Sequence, residues 1–361
     1  IGSLQKLREE CEKAVQAGLM PTNPLANFTP NDFSKENYEK VDLHRPHVDD
    51  IVLCAQNGQP MYREPDLVDV WFDSGAMPYA QHHYPFENKE AIDNRLAFPA
   101  DFISEGVDQT RGWFFTLHAI ATMIGDSVAF KHIISNGLVL DKAGNKMSKR
   151  LGNAVDPFQE LNAKGADAVR WYVLTNAAPW DNLKYDSQAV DECVRKYFAT
   201  LHNTYSFFAL YANVDNFDAK ESAIPLNQRT ELDRWILSRL HSLIRNVDEA
   251  YDTYDITRAG RLLQDFVSEH LSNWYVRLSR KRFWGGGLTP DKKAAYQTLH
   301  ECLLVVAQLM APIAPFYADQ LYADLQLIDP KERQTSVHAS DFPLANSEYI
   351  DVELEEKMEL A

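Results

Sequence analysis

The sequence predicts an α/β region followed by an all-α bundle, and three observations carry that reading. Between about 66 and 186, short apolar runs alternate with a helical pattern. From Ser187 onward, apolar residues recur at i, i+3, i+4 and i+7 spacing, the mark of successive amphipathic helices. The composition, 45% hydrophobic and 24% charged over 361 residues, supplies enough apolar surface for a core and excludes disorder as the main state. At this length two domains are expected, 1–186 and 187–361, with 1–65 as a peripheral segment of the first.

Taken in order, Leu4 to Ala17 has helical spacing (Leu4, Leu7, Cys11, Ala14, Val15) and is ended by Gly18 and Pro21. A Pro/Asn/Asp-rich stretch runs to Asn37. Ile51 to Ala55 reads as a short strand, and Asn57-Gly58 after it as a hairpin turn. Phe98 to Ser104 and Lys131 to Asn136 read as strands flanking a helix over Thr110 to Ile124, a parallel strand–helix–strand unit. Four apolar stripes follow, led by Val190, Leu232, Leu262 and Tyr296. Their aromatics are expected in the core. The segment from Leu303 to Pro315 is expected to be a buried helix, since it falls short of the roughly 20 apolar residues of a membrane span. The end, from Glu348, carries six acidic residues and one lysine and reads as a helix start or a solvated tail.

Charge and cysteine usage exclude some functions. With 36 Lys+Arg against 52 Asp+Glu, a net charge of −16 argues against wholesale wrapping of nucleic acid, though not against a local basic patch. Cys11, Cys54, Cys193 and Cys302 have neither zinc-ligand nor disulfide-framework spacing and read as small hydrophobes in a reducing, cytoplasmic setting. No signal peptide is visible at Ile1.

Chemistry-bearing residues concentrate between 66 and 186. In Asp141-Lys-Ala-Gly-Asn-Lys-Met-Ser-Lys-Arg-Leu-Gly-Asn, three cations (Lys146, Lys149 and Arg150) crowd a short loop beside Gly144, Ser148 and Gly152. Ammonium groups on such a loop can neutralise charge that builds as a phosphate bond breaks. Taken alone, the segment would be a solvated surface hairpin, and its glycines and charges would make it mobile.

The string Lys146-Met-Ser-Lys-Arg150 resembles the lysine-loop signature of class I aminoacyl-tRNA synthetases. Asp69-Val-Trp-Phe-Asp-Ser-Gly75, Glu105-Gly-Val-Asp-Gln-Thr-Arg-Gly-Trp113, and Asp42-Leu-His-Arg-Pro46 with Asp49-Asp50-Ile51 resemble further blocks of the isoleucyl group. Asn203-Thr-Tyr and Asn273-Trp-Tyr-Val-Arg277 extend the likeness into the helical half. The resemblance implies a Rossmann-like sheet, the second half of a class I catalytic domain, followed by an anticodon-binding helical bundle. It implies activation of L-isoleucine by ATP, with Mg²⁺ riding on the phosphates and no zinc site, then transfer to tRNA(Ile).

It also implies roles for particular residues. Lys146 and Lys149 would contact phosphates, Ser148 and Met147 would shape the loop, and Asn136-Gly137 would approach the adenine. Glu105, Gly106, Asp108 and Gln109 would contact the aminoacyl-adenylate, while Trp71 and Trp113 would wall the side-chain pocket. The plain alternatives are a strand-end carboxylate capping the next helix for Glu105, and helix core for Trp113. The H-I-G-H signature of the family is absent from this sequence. The expectation is therefore the later part of a longer synthetase, lacking its editing insertion and inefficient alone at forming adenylate.

In the helical half, Arg277, Arg280, Lys281 and Arg282, with Lys292 and Lys293, face only Asp291, and Trp274, Tyr275, Phe283 and Trp284 are interleaved. Cations beside planar rings suit contact with tRNA. The alternative is core aromatics and a solvated helix end. Expected partners are thus tRNA, isoleucine and ATP, with no membrane and a monomeric state. Rival readings are a non-catalytic tRNA-binding protein on the same scaffold, the equivalent part of a valyl enzyme, and a generic α/β nucleotide-binding protein. The last is weakened by the absence of a G-x-x-x-x-G-K or G-x-G-x-x-G string.

Overall fold

In the computed structural model, all residues are described except 67–68, 220–221, 328–335 and 361, and except the side chain of Lys149. The chain forms two compact units, Ile1–Ile133 and Ile134–Ala361.

In the first unit, α1 (Leu4–Gln16) starts where the Ser3 hydroxyl accepts the Lys6 N–H at 3.1 Å. Gly18, at φ +73°, takes the left-handed turn that lets the chain leave it. Buried Cys11 and Ala14 meet Met20, Leu25 and Phe28, closed over by an antiparallel hairpin of β1 (Val52–Cys54) and β2 (Pro60–Tyr62). The short α2 (Lys35–Tyr38) lies between α1 and β1 in the chain. The Asn57-Gly58 turn falls where the spacing predicts it, with Gly58 at φ +81°. Short helices α3 (Val70–Gly75), α4 (Met77–Ala80) and α5 (Lys89–Asp93) follow.

The expected strand–helix–strand unit is present with shifted bounds: β3 (Ala100–Gly106), α6 (Trp113–Gly125) and β4 (Phe130–Asn136). The expected helix from Thr110 splits. Val107–Arg111 is a 3₁₀ turn, and Gly112 breaks it from α6. Strands β3 and β4 are hydrogen-bonded neighbours. Ala100 N–H donates to Ala129 O at 3.0 Å, and the His132 ring pairs with Asp101 O at 3.0 Å, so the contacts advance in the same direction along both strands. A Cβ on Gly75 would lie 2.9 Å from the Thr116 backbone, so α3 and α6 approach as only glycine permits.

The second unit begins with β5 (Val139–Leu140), paired in parallel with β6 (Leu183–Lys184) across α7 (Pro157–Lys164) and α8 (Ala166–Asn176). The helical region comprises α9 (Ser187–Cys193), α10 (Ala199–Val214), α11 (Glu231–Asp252), α12 (Ile256–Asp265), α13 (Arg277–Trp284), α14 (Pro290–Met310), α15 (Pro315–Gln326) and α16 (Val352–Glu359). π-helical stretches Val194–Phe198 and Phe266–Val276 join α9 to α10 and α12 to α13. One continuous core runs from Trp171 through the stripes to Leu354, with Trp171 stacked on Tyr197 at 3.8 Å. The acidic end is a docked helix: the buried Glu355 carboxylate accepts from Ser238 (2.5 Å) and Ser242 (3.0 Å).

Helix α11 opens with a capping box, Thr230 and Asp233 exchanging side-chain and backbone hydrogen bonds. Asp233 is fully buried and also accepts from Tyr275 (2.7 Å) and from Arg282 at 2.8 and 2.7 Å. Burial by itself would raise this carboxyl. The Arg282 hydrogen bonds and charge outweigh it and hold the group below the usual carboxylate value. Two outcomes follow. Arg282→Ala leaves a buried charge unpaired and should cost about 3–5 kcal/mol in urea unfolding. Because the folded carboxyl is depressed, its contribution is complete above the unfolded value and is lost as pH falls through the folded one. Acid unfolding of Asp233→Asn should therefore lack that component of the pH dependence seen in the unaltered chain.

Candidate functional site

The signature hairpin is built from its own polar side chains. Leu140 and Lys146 form an antiparallel bridge, and Asp141 N–H donates to Asn145 O at 2.9 Å. The Asp141 carboxylate accepts from Asn145 N–H (2.7 Å) and from the Asn153 amide (2.9 Å), and the Asn153 bond leads in keeping that carboxyl below its usual range. Asn153 also takes the Ser148 N–H at 2.9 Å and donates to Lys146 O at 3.3 Å. Its one side chain thus ties both ends of the loop together. The loop expected from its composition to be mobile has a defined internal hydrogen-bond set.

Met147 turns inward against Ala168, Tyr172, Leu183, Tyr185 and Val190. That apolar foot leaves its neighbours outside. Lys146 and Arg150 are exposed and, among the described residues, carry no ion pair. The Ser148 hydroxyl accepts the Arg150 N–H at 3.2 Å, and the backbone of Lys149 opens a 3₁₀ turn, Lys149–Leu151. The Lys149 side chain lies outside the described residues. Lys142 is fastened to Asp186 at 2.8 Å. At the root of the hairpin, Gly137 N–H donates to Pro179 O at 2.9 Å, and half-buried Asn136 ends β4.

The remaining predicted contacts belong to the first unit, where the structure gathers them around the junction of β3 and α6. Glu105 is exposed on β3, one residue before its end. The hypothetical Cβ of Gly106 would lie 2.6 Å from Asp108 Oδ1, so the Asp108 carboxylate sits directly over bare backbone there. Gln109 accepts the Trp113 N–H at 2.9 Å through Oε1 and donates to Asp108 at 3.3 Å, which caps α6 and orients both side chains. The Trp113 indole N–H donates to Ser74 O at 2.9 Å, while its ring packs on the Tyr79, Phe98 and Leu117 cluster. Trp71 follows the Asp69 cap of α3 and stays exposed; its ring edge would be 3.5 Å from a Cβ on Gly112. Trp71, Asp108, Gln109 and Trp113 are thus brought together, with Glu105 at their margin.

On α13 the cations divide. Arg277, Arg280 and Lys281 are exposed and unpaired among the described residues. Arg282 is committed to Asp233 and to Asp291 (2.7 Å). Lys292, buried, pairs with Asp215 and donates to Gly285 O at 2.7 Å. The rings divide as well: Tyr275 and Phe283 are core, and Trp284 is exposed. Sequence reasoning passed over Asn153 and Asp233, which organise the two regions. Their short polar side chains gave no signal beyond the cap position of Asp233 and the Leu-Gly-Asn that follows the cations. Among the described residues no group of three His, Cys, Asp or Glu side chains converges as metal ligands, and no helix is long and apolar enough to cross a membrane.

Residues 20–186 match the family of class I tRNA synthetases for I, L, M and V, and 233–361 match the anticodon-binding domain of tRNA ligases. An isoleucine–tRNA ligase of Bacteroides fragilis is 62% identical over 363 residues, covering 100% of this chain and 32% of its own length. One from Porphyromonas gingivalis is 61% identical (100% and 31%), and one from Thermus thermophilus 48% identical (89% and 30%). The chain thus spans about a third of the length of these relatives. Among solved structures, the LeuRS–tRNA–LeuAMS complex of Agrobacterium radiobacter K84 superposes with TM-score 0.62 at 20% identity, covering 82% of this chain and 35% of that one. Mycobacterium tuberculosis methionyl-tRNA synthetase with methionyl-adenylate gives 0.59 at 18% identity, covering 75% and 56%. At such identities these two speak for the fold alone. With catalytic-domain and anticodon-domain matches in the order its α/β and helical regions occur, the chain belongs to the class I aminoacyl-tRNA synthetase family.

Proposed function

We propose that this chain supplies the lysine-loop part of the ATP site, adenylate contacts and a tRNA-binding bundle of an isoleucine–tRNA ligase, divided functionally at 186/187. The observation that carries the reading is the hairpin's construction. Asn153 and Asp141 set its shape and Met147 anchors it, which leaves Lys146 in solvent with no counter-charge among the described residues. An unpaired ammonium on a pinned turn is preorganised for an anion.

In the reaction the carboxylate of isoleucine attacks the α-phosphate of ATP, forming isoleucyl-adenylate and releasing pyrophosphate. The aminoacyl group then passes to the 3′-terminal adenosine of tRNA. No protein nucleophile takes part, so the chain's residues act by placement and by charge. Lys146, with Lys149, steadies charge on the leaving phosphates. Glu105 and Gln109 hydrogen-bond the amino group, Asp108 holds the ribose hydroxyls, and Gly106 lets the ligand approach the backbone. Mg²⁺ would arrive with ATP, riding on its phosphates.

Calorimetry with a non-hydrolysable isoleucyl-adenylate analogue should show binding to the unaltered chain that exceeds binding of the valyl analogue. With ATP, Lys146→Ala should weaken binding about tenfold or more, the scale of one charge-assisted hydrogen bond. Equal affinity for the two analogues would sink the isoleucyl assignment, and no effect of Lys146→Ala on ATP the phosphate role. For the bundle, tRNA binding should weaken with salt. Replacing Arg277, Arg280 and Lys281 with Ala should flatten that slope by about one unit per lost phosphate contact. A slope unchanged by the triple replacement would remove α13 from the tRNA surface.

A further inference from the structure

The turn at 178–181 is outside the signature hairpin yet fastened to its root. Asp181 N–H donates to Ala178 O at 2.9 Å, so Pro179 and Trp180 are the two central residues. Pro179, at the first central position, has its φ held by its ring. Gly137 N–H donates to the Pro179 carbonyl at 2.9 Å, and Leu138 N–H donates to Asn182 Oδ1 at 2.8 Å. A Cβ on Gly137 would overlap the Asp181 carbonyl, so the two segments touch backbone to backbone. The β5–β6 pairing then continues the contact, Val139 opposite Leu183 and Leu140 opposite Lys184.

Trp180 is thereby displayed at the apex of a braced turn, and it is 53% exposed. Trp171 and Trp235 of the same unit are buried in the core. Lys146 lies across from Leu140, three residues beyond Gly137. At a rise of about 3.3 Å per residue, the bridge is about 10 Å from Gly137. The second unit therefore offers an exposed aromatic ring near one end of a short strand and, at the other, Lys146, which carries no ion pair among the described residues, with exposed Arg150 four residues further along the same hairpin. A purine nucleotide has the matching layout, a flat π face joined to a chain of phosphates.

We propose that Trp180 is a base-stacking residue for a purine nucleotide whose phosphates lie toward Lys146 and Arg150. The inference rests on the phosphate-binding reading above and adds the residue that holds the other end of the ligand. The purine comes either from ATP or from the terminal adenosine of an RNA, and stacking serves both because it uses the ring face alone.

The unaltered chain, Trp180→Ala, Trp180→Phe and Lys146→Ala are titrated with ATP and separately with the oligoribonucleotide CCA, by calorimetry and tryptophan fluorescence. Trp180→Ala should weaken binding about fivefold to a hundredfold, the range that loss of one base–aromatic stack produces, while Trp180→Phe keeps most of the affinity. The fluorescence quenched by ligand in the unaltered chain should lose its Trp180 part in both variants. Loss confined to ATP assigns the ring to the nucleotide substrate, and loss confined to CCA assigns it to an RNA end. ATP binding that falls in Lys146→Ala, with both probes unaffected by Trp180→Ala, overturns the inference and leaves the phosphate role standing. Absence of binding, or binding indifferent to every replacement, removes both. Circular dichroism of Trp180→Phe, which retains a ring at the exposed position, controls for the fold.

Discussion

The two carboxylate oxygens of Asp233 have no access to water, and they accept from Thr230, the Tyr275 hydroxyl and both terminal nitrogens of Arg282. Tyr275 and Arg282 are seven residues apart, two turns of helix, and so share one face. Binding both to one buried carboxylate fixes which side of the helix is inside. Arg277, Arg280 and Lys281 fall between those two anchors and are left in solvent. A second buried pair, Lys292 with Asp215, which also accepts from Tyr296, secures the start of α14 close by. The surface this half can offer an acidic partner is thus set from within. The interior pairs consume some cations and hold the others outward.

Helix α8 gives the signature hairpin its footing in the same unit. The Tyr172 hydroxyl donates to Lys184 O at 2.7 Å, on the strand that pairs with the hairpin's root. The other side of the helix is joined to the bundle. Arg170 donates to Ile313 O at 2.9 Å, Thr257 to Leu174 O at 2.7 Å, and Arg261 to Thr175 O at 3.0 Å. Asp167 accepts from the Tyr317 N–H at the start of α15. These bonds satisfy helix-end groups that would otherwise be stranded at a buried junction. The hairpin and the basic helix therefore stand on one hydrogen-bonded framework, while Lys146, Arg150, Arg277, Arg280 and Lys281 carry no ion pair among the described residues.

Much of the fold was readable because its signals are short-range. Gly18 ends α1 and Asn57-Gly58 makes its hairpin turn, since backbone conformation at a glycine is decided locally. The apolar stripes became the core because their period matches the helix, and Tyr197, Phe208, Trp235 and Tyr296 are buried as expected, whereas Tyr275 and Phe283, read as rings for RNA contact, are core as well. The expected helix from Thr110 was misjudged at its start. Periodicity does not see that the Gln109 side chain folds back over Gly112 to accept the Trp113 N–H at 2.9 Å, which starts α6 at Trp113. The acidic end, read as a helix start or a solvated tail, is the helix, and composition could not show that Ser238 and Ser242 supply donors for Glu355 from more than a hundred residues away.

The sequence by itself determined the α/β-then-helical order, the family resemblance and the place of the lysine-rich hairpin. Each depends on residue type at fixed local spacing. Only the tertiary structure decided which charges are spent and which stay available. Arg277 and Arg282 look alike in the string, yet one remains in solvent and the other is neutralised by a carboxylate 49 residues earlier. Likewise Lys146 has no ion pair among the described residues, while Lys142 is taken by Asp186. A charge is available to a ligand only when the fold brings no opposite charge beside it, and that depends on long-range packing rather than on neighbours in the chain.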